Sequence, residues 1–190
     1  FILQALRGGA PAGLSAMPRQ IERAGLVWVR PWLDQPRRAI DAYVQRHRLQ
    51  PVDDPSNADD RLARNRLRLQ LWPALEAAFP HAETSLAAAA QRAQEARAAL
   101  DELAALDLAP LVDADGALAV AGWRSLSAAR QANALRAWWA AQAGHSAPQA
   151  LVTRLLAEVP AKGVARWPAG AGWWCTLRGG RLRVVAPAGG

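Results

Sequence analysis

Residues 53–57 read Asp-Asp-Pro-Ser-Asn, and after six more residues the chain continues Arg64-Asn65-Arg66-Leu67-Arg68. Proline fixes its own φ, while Asp, Ser and Asn side chains bond to nearby backbone amides, so the stretch has to turn and can cap a helix after it. Such a turn cannot sit inside a helix or a strand, and it divides the chain. The residues before it read as the end of one domain, and the residues after it as another. In the helix after the turn, Arg61, Arg64 and Arg68 fall at i, i+3 and i+7 and share a face, while Leu67 and Leu71 mark an apolar side. Two readings are open on spacing alone. One is a basic stripe that meets an anion; the other is a capped surface helix whose arginines are solvated or paired with Asp59 and Asp60. Asn65 is a poor helix former in mid-helix and calls for a local reason.

The pattern Asp-Asp-x-Ser-Asn, six residues, then Arg-Asn-x-x-Arg, preceded by Arg30-Pro31-Trp32-Leu33, resembles the tRNA(Ile)-lysidine synthases, a family of PP-loop ATPases. Arg7-Gly8 followed by Pro11-Ala12-Gly13-Leu14-Ser15-Ala16-Met17 is similar to the segment ahead of the Arg-Pro-Leu-Leu of that family. The resemblance is strong over residues 1–80; over 81–190 it rests on helix order and the closing Trp-Trp hairpin. It implies a mixed α/β, mostly helical fold. Residues 1–58 would be the tail of a parallel α/β (PP-loop) nucleotide domain, 59–72 a linker helix, and 73–190 a helical tRNA substrate-binding domain with a small antiparallel hairpin.

Members of this family use ATP, with magnesium expected beside it, and lysine to convert the wobble cytidine of a CAU-anticodon isoleucine tRNA into lysidine. The cytosine 2-oxygen is adenylated and the lysine amine displaces AMP. The Ser-Gly-Gly-x-Asp-Ser loop and the His-His-x-x-Asp-Gln region of the family have no counterpart in these residues, so no cofactor motif is expected here. The resemblance therefore implies a C-terminal portion that does not adenylate cytidine alone. Its implied partners are isoleucine tRNA, lysine and ATP, with no membrane and with a homodimer left open. It makes Arg64, Asn65 and Arg68 the catalytic candidates, with Asn65 tying loop to helix. Asp54 and Asn57 would fix the loop, Arg7 and Arg30 would lie near the active site, and Arg178, Arg181 and Arg183 would meet tRNA.

The composition agrees with a polyanionic partner. The net charge is +7 and the sequence pI near 11.2, and Lys162 is the only lysine, so nearly all the positive charge is arginine, with the excess toward the N-terminal part. Arginine suits phosphate, although a genome-wide bias would give the same count. With 190 residues, 52% of them hydrophobic, the chain can bury a core. Cys175 is the sole cysteine, which excludes an internal disulfide and a cysteine zinc cluster and makes a reducing compartment, the cytoplasm, the expectation. No secretory signal or long apolar run stands out. The chain opens at Phe1 in what reads as mid-helix, so residues are expected upstream.

Along the chain, residues 7–20 carry Gly8, Gly9, Pro11, Gly13 and Pro18 and are expected to be loop; they lack a P-loop ending, and the resemblance makes them part of the nucleotide-site rim. Leu26 to Val29 reads as a strand. A helix comes next, from about Pro36 to Arg48, burying Ile40, Tyr43 and Val44, and strand then helix fits the last βα element of a parallel sheet. His47, His81 and His145 lack partners at metal-ligand spacing, which argues against a metal site. Pro73 opens a helix that Pro80 closes. From His81 to Leu106 the chain is helical, with Leu86, Ala89, Ala93, Ala96, Leu100 and Leu103 as a packing seam. Asp113 to Gly116 turns, Ala117 to Val120 is a short strand, and Ser125 or Ser127 caps a helix to about Ala143. Trp138 and Trp139 lie about 100° apart around it. A further helix, about Pro148 to Val159, puts Leu151, Leu155 and Val159 on one side.

Trp173 to Arg178 and Arg181 to Val185 flank Gly179-Gly180, a hairpin turn suited to type I′. In that register Leu177 faces Leu182 and Cys175 faces Val184. The opposite face pairs Arg178 with Arg181, Thr176 with Arg183 and Trp174 with Val185. A basic strand face carrying a tryptophan could track RNA and stack a base, or be the wet side of an ordinary hairpin. Two rival functions stay open beside the ligase. They are a non-catalytic basic RNA-binding module, whose binding would fall steeply with salt, and a helical protein-interaction domain built on the alanine seam, whose binding would not.

Overall fold

The computed structural model describes residues 1–7, 11–15, 17–23, 25–33, 35–52, 54–160 and 163–187, so Gly8, Gly9, Asp53 and Lys162 lie outside the described residues. The chain divides into two compact units, Phe1–Arg97 and Ala98–Gly190. It is mostly helical with small antiparallel sheets.

Unit 1 opens with α1 (Ile2–Leu6) and α2 (Pro11–Leu14), so the expected loop is partly helical. Strand β1 (Gln20–Arg23) then pairs with β2 (Leu26–Val29). The strand at 26–29 forms as its sequence predicts, but the pairing is antiparallel, Gln20 opposite Val29 and Arg23 opposite Leu26. No parallel pairing occurs among the described residues. Gly25 at φ +72 turns the chain back on its nearest neighbour in sequence, whereas a parallel partner needs a crossover of about a dozen residues. All four residues of β2 are exposed.

Helix α3 (Arg37–Arg46) half-buries Ile40 and Val44. Tyr43, expected inside, is exposed; it takes an edge contact from Trp32 and lies 4.2 Å from the His47 ring, an aromatic cluster at the surface. A single 3-10 turn (Pro55–Ala58) leads to α4 (Ala63–Arg66), a π-helical turn (Leu67–Leu71) and α5 (Trp72–Ala78). The helix starts two residues later than the arginine spacing predicts, so Arg61 lies ahead of it. It also runs through Pro73 instead of restarting there. Proline has no N–H for the carbonyl four residues back and its ring presses on that carbonyl, so the preceding turn widens, and Trp72 N–H bonds to Leu67 O, five residues back.

Helix α6 (Ala82–Leu108) matches its predicted span within two residues. The expected seam is discontinuous: Leu86, Ala89 and Ala93 are half-buried, Ala96 is exposed, and burial resumes at Leu100 and Leu103. Among the described residues of unit 1 only Asn65, Ala82 and Ala90 are buried.

Unit 2 holds β3 (Leu118–Ala119), α7 (Val120–Arg124), α8 (Ala128–Ala143), α9 (Gln149–Glu158), β4 (Ala165–Gly170), β5 (Trp173–Arg178) and β6 (Arg181–Val185). The four strands form one antiparallel sheet in the order β3-β6-β5-β4. The β5–β6 register is the one read from the sequence at every pair, and Gly179 and Gly180, at φ +59 and +71, make the turn. Strand β4 and helix α7 are additions. Pro168 conceals β4, and proline is tolerated there because β4 is an edge strand.

The inner sheet face and α7 to α9 enclose a core of Leu118, Trp123, Leu135, Trp138, Trp139, Leu151, Leu155, Trp167, Cys175, Leu177 and Leu182, each at most 3% exposed. Trp138 and Trp139 are thus both core. Three of the buried indoles find acceptors: Trp123 donates to Gln131 O at 3.0 Å, Trp138 to Gly116 O at 2.8 Å, and Trp167 to the Glu158 carboxylate at 2.8 Å. The Trp139 N–H has none, a cost of about 1–3 kcal/mol carried by the packing around it. Asp107 at the end of α6 is buried and bonds Arg130 of α8 with both carboxylate oxygens, and Asn133 donates to Leu100 O at 2.6 Å, which fastens α8 to the last turns of α6.

Candidate functional site

In unit 1 the turn and the helix after it form one hydrogen-bonded joint. The Asp54 carboxylate caps the 3-10 turn by accepting Ser56 N–H at 2.9 Å, and that bond holds its pKa below the ordinary carboxylate range. Asn57 N–H donates to Asp54 O at 2.9 Å. Asn65, only 7% exposed, donates its amide to Ser56 O at 2.7 Å and to Asp59 O at 2.9 Å, which accounts for an asparagine inside a helix. The Arg68 guanidinium donates to Asn57 O. The backbone of residues 54–59 is therefore gripped by two side chains of the following helix.

The arginines of this segment are not equivalent. Arg61 forms a two-pronged ion pair with Asp59, at 2.9 and 2.8 Å, and each raises the charge stability of the other: the carboxyl is held low and the guanidinium high. Arg66 reaches Asp60 O at 3.5 Å, and Arg68 is spent on Asn57. Among the described residues Arg64 has no ion-pair or hydrogen-bond partner, and it is exposed. Arg7 lies across a cleft of about 200 Å³ from Arg66, with Leu3, Leu6, Ala63, Leu67 and Leu71 completing its walls. Arg30 donates its guanidinium to Pro18 O at 3.0 Å, and its own N–H bonds Arg19 O.

In unit 2 the outer face of the sheet carries Arg178, Arg181 and Arg183, all exposed. Two are partly neutralised by the turn ahead of β3: Arg181 pairs with Asp113 at 3.0 Å, and Arg183 lies 3.9 Å from Asp115. Asp113 is fixed by Ala117 N–H and Asp115 N–H, and the first of these bonds does most to hold its pKa low. Arg178 has no ion-pair partner among the described residues. Trp174 shares this face, but Arg166 of β4 lies over its ring at 3.7 Å from the centroid, so one face of the indole is already covered. Arg166, Asp113 and Asp115 were not legible as members of this surface. The alternation Arg166-Trp167-Pro168-Ala169 was the available signal for Arg166, and the proline masked it.

A family model described as a PP-loop domain matches residues 1–75, and one described as the TilS substrate binding domain matches residues 118–183. A tRNA(Ile)-lysidine synthase of Polaromonas naphthalenivorans is 36% identical over 190 residues, all of this chain and 52% of the relative. One of Ralstonia nicotianae is 50% identical over 139 residues, 73% of this chain and 29% of the relative. One of Bordetella pertussis is 43% identical over 147 residues, 74% of this chain and 46% of the relative.

The chain belongs to the tRNA(Ile)-lysidine synthase family.

It spans between 29% and 52% of the length of these three synthases. The joint of residues 54–68 falls inside the PP-loop match, and the arginine-bearing sheet face inside the substrate-binding match of the synthase family.

Proposed function

We propose that this chain serves tRNA(Ile)-lysidine synthesis, the ATP-dependent ligation of lysine to the wobble cytidine of a CAU-anticodon isoleucine tRNA, as an ATP-using carbon–nitrogen ligase of the cytoplasm. The observation that carries a role for unit 1 is the contrast within the joint. Asp54, Asn57, Asn65 and Arg68 hold one another, and the Arg64 side chain beside them is held by no other described residue. Arg64 would meet a tRNA phosphate or the anion of the reacting centre, Arg68 and Asn65 would keep the loop in place behind it, and Arg7 and Arg30 would stand nearby.

On this reading residues 1–58 are the tail of a parallel α/β nucleotide domain, 59–72 the linker helix and 73–190 the tRNA-binding domain. The exposed strand β2 is an edge that such a sheet would cover. ATP itself does not fit the residues described. The larger cleft of unit 1, about 580 Å³, is lined by Ile2, Leu75, Phe79, Leu86 and other apolar groups, with Ser85 and His81 as its polar members. What these residues supply is charge and position: a fixed loop, a free guanidinium, and a basic sheet face for the tRNA backbone.

The test is Arg64→Ala in a full-length synthase carrying this joint, with lysidine formation followed by mass spectrometry and melting temperature measured alongside. Activity should fall at least about tenfold with melting unchanged, the size expected for a lost charge contact to a reacting group. Equal loss of both would overturn the reading. The unpaired Arg178 also favours a second reading, a non-catalytic RNA-binding module. Under that reading the chain would bind RNA with a steep salt dependence, and Arg64→Ala in the full-length protein would leave lysidine formation intact.

A further inference from the structure

Arg166 is exposed on the edge strand β4, and its guanidinium carbon lies 3.7 Å from the centroid of the Trp174 ring. The sheet register sets Arg166 opposite Thr176 and Thr176 opposite Arg183, so these three form one row across β4, β5 and β6. Neighbouring strands are about 4.8 Å apart, which puts the backbones of Arg166 and Arg183 about 10 Å from each other with a hydroxyl between them. Arg178 lies two residues beyond Thr176 on β5 and faces the same side.

A guanidinium seated on an indole is more than a parked charge. It is flat, weakly hydrated and held by the ring beneath it, so its outer plane is presented at little entropic cost. Unpaired nucleobases are taken up on such planes, whereas bases inside a duplex have both faces occupied. The neighbouring cations suit a phosphate. Arg178 is unpaired among the described residues, and Arg183 is only loosely held, 3.9 Å from an Asp115 side chain that is itself 79% exposed.

We propose that Arg166, seated on Trp174, is a stacking platform for one unpaired base of single-stranded RNA, with an adjoining phosphate on Arg178. This rests on the reading of the outer sheet face as an RNA surface and adds to it a site that recognises a base instead of the backbone.

The experiment uses the 190-residue chain and fluorescence anisotropy with two labelled probes, an oligouridylate of about 12 nucleotides and an abasic ribose-phosphate oligomer of equal length. Arg166→Ala and Arg166→Lys should both weaken oligouridylate binding by about tenfold and leave the abasic oligomer almost unaffected, because lysine restores the charge but not the plane. If Arg166→Lys binds as the native chain does, or if the abasic oligomer loses as much as the oligouridylate, the platform is refuted and Arg166 is only a charge. Arg178→Ala separates the two levels. Weaker binding of both probes by that variant, with native behaviour of both Arg166 variants, would sink the platform and leave the RNA surface standing. Failure of the native chain to bind either probe would sink both.

Discussion

The two units of this chain make opposite use of similar material. Unit 2 closes four tryptophans and a set of leucines between a four-stranded sheet and three helices, and the side chains of this core are almost fully buried, although Leu106 and Val164 outside it are exposed. Unit 1 leaves Leu26, Val27, Trp28 and Val29 each more than half exposed, as are Trp32, Leu71 and Phe79, with Tyr43 and Leu62 at about half. Exposure of a contiguous four-residue strand is a feature of unit 1 that unit 2 lacks, while scattered exposed leucines would need no comment. The lesson is that unit 2 has what it needs to fold by its own packing. Unit 1 buries little and is tied by local hydrogen bonds such as those of Asn65 and Asp54.

Deep truncation in unit 2 breaks this contrast most severely. Trp138→Ala removes a side chain 1% exposed and its bond to Gly116, and should cost about 3–5 kcal/mol in chemical denaturation. A loss under about 1 kcal/mol would mean that unit 2 is as loosely packed as unit 1.

The next effect is one of pH. Burial pushes the Cys175 thiol up to about 12. The folded state thus keeps a proton that the unfolded chain releases near its ordinary value of about 8.5, so stability is full below that pH and falls as pH rises from there toward 12. The slope should approach about 1.4 kcal/mol per pH unit between roughly pH 9 and 11, and Cys175→Ala should flatten it in denaturation curves taken across that range. In the native state a thiol reagent at pH 8 should leave Cys175 unmodified; rapid labelling without denaturant would contradict the closed core.

The smallest expected change lies in unit 1. Trp28→Ser on the exposed strand should shift the unfolding midpoint by no more than about 0.5 kcal/mol while lowering the binding of an apolar dye. A shift of several kcal/mol would show that β2 is packed in solution and that the contrast between the units is false.

Much of unit 2 was legible because its signals are local. Gly-Gly between alternating strands sets both turn and register, and the spacing of Leu151, Leu155 and Val159 finds its buried face directly. The joint of residues 54–68 was legible in composition but not in detail. Pairing with Asp59 was one of the two readings the spacing left open, and Arg61 takes it; which arginine would do so, and that Arg68 would go to a backbone carbonyl, depends on where the helix begins. The antiparallel partner of β2 was not legible for a related reason. A four-residue apolar run specifies a strand, but nothing within it specifies the neighbour. Strand β4 was hidden because Pro168 and the glycines after it carry the signature of a loop, which an edge position permits.

The π turn at Leu67–Leu71 sets an angle as well as a path. A widened turn holds an extra residue over the same rise, so it works as a phase shifter: side chains before and after it are offset by about 100° from where an unbroken helix would aim them. Arg64 and Leu75 keep their present relative bearings only because Pro73 enforces that offset. A family member that lost the proline together with one residue of this turn would keep the same alignment along a plain α-helix, so chain length and the proline at this point are interchangeable ways of setting a single angle.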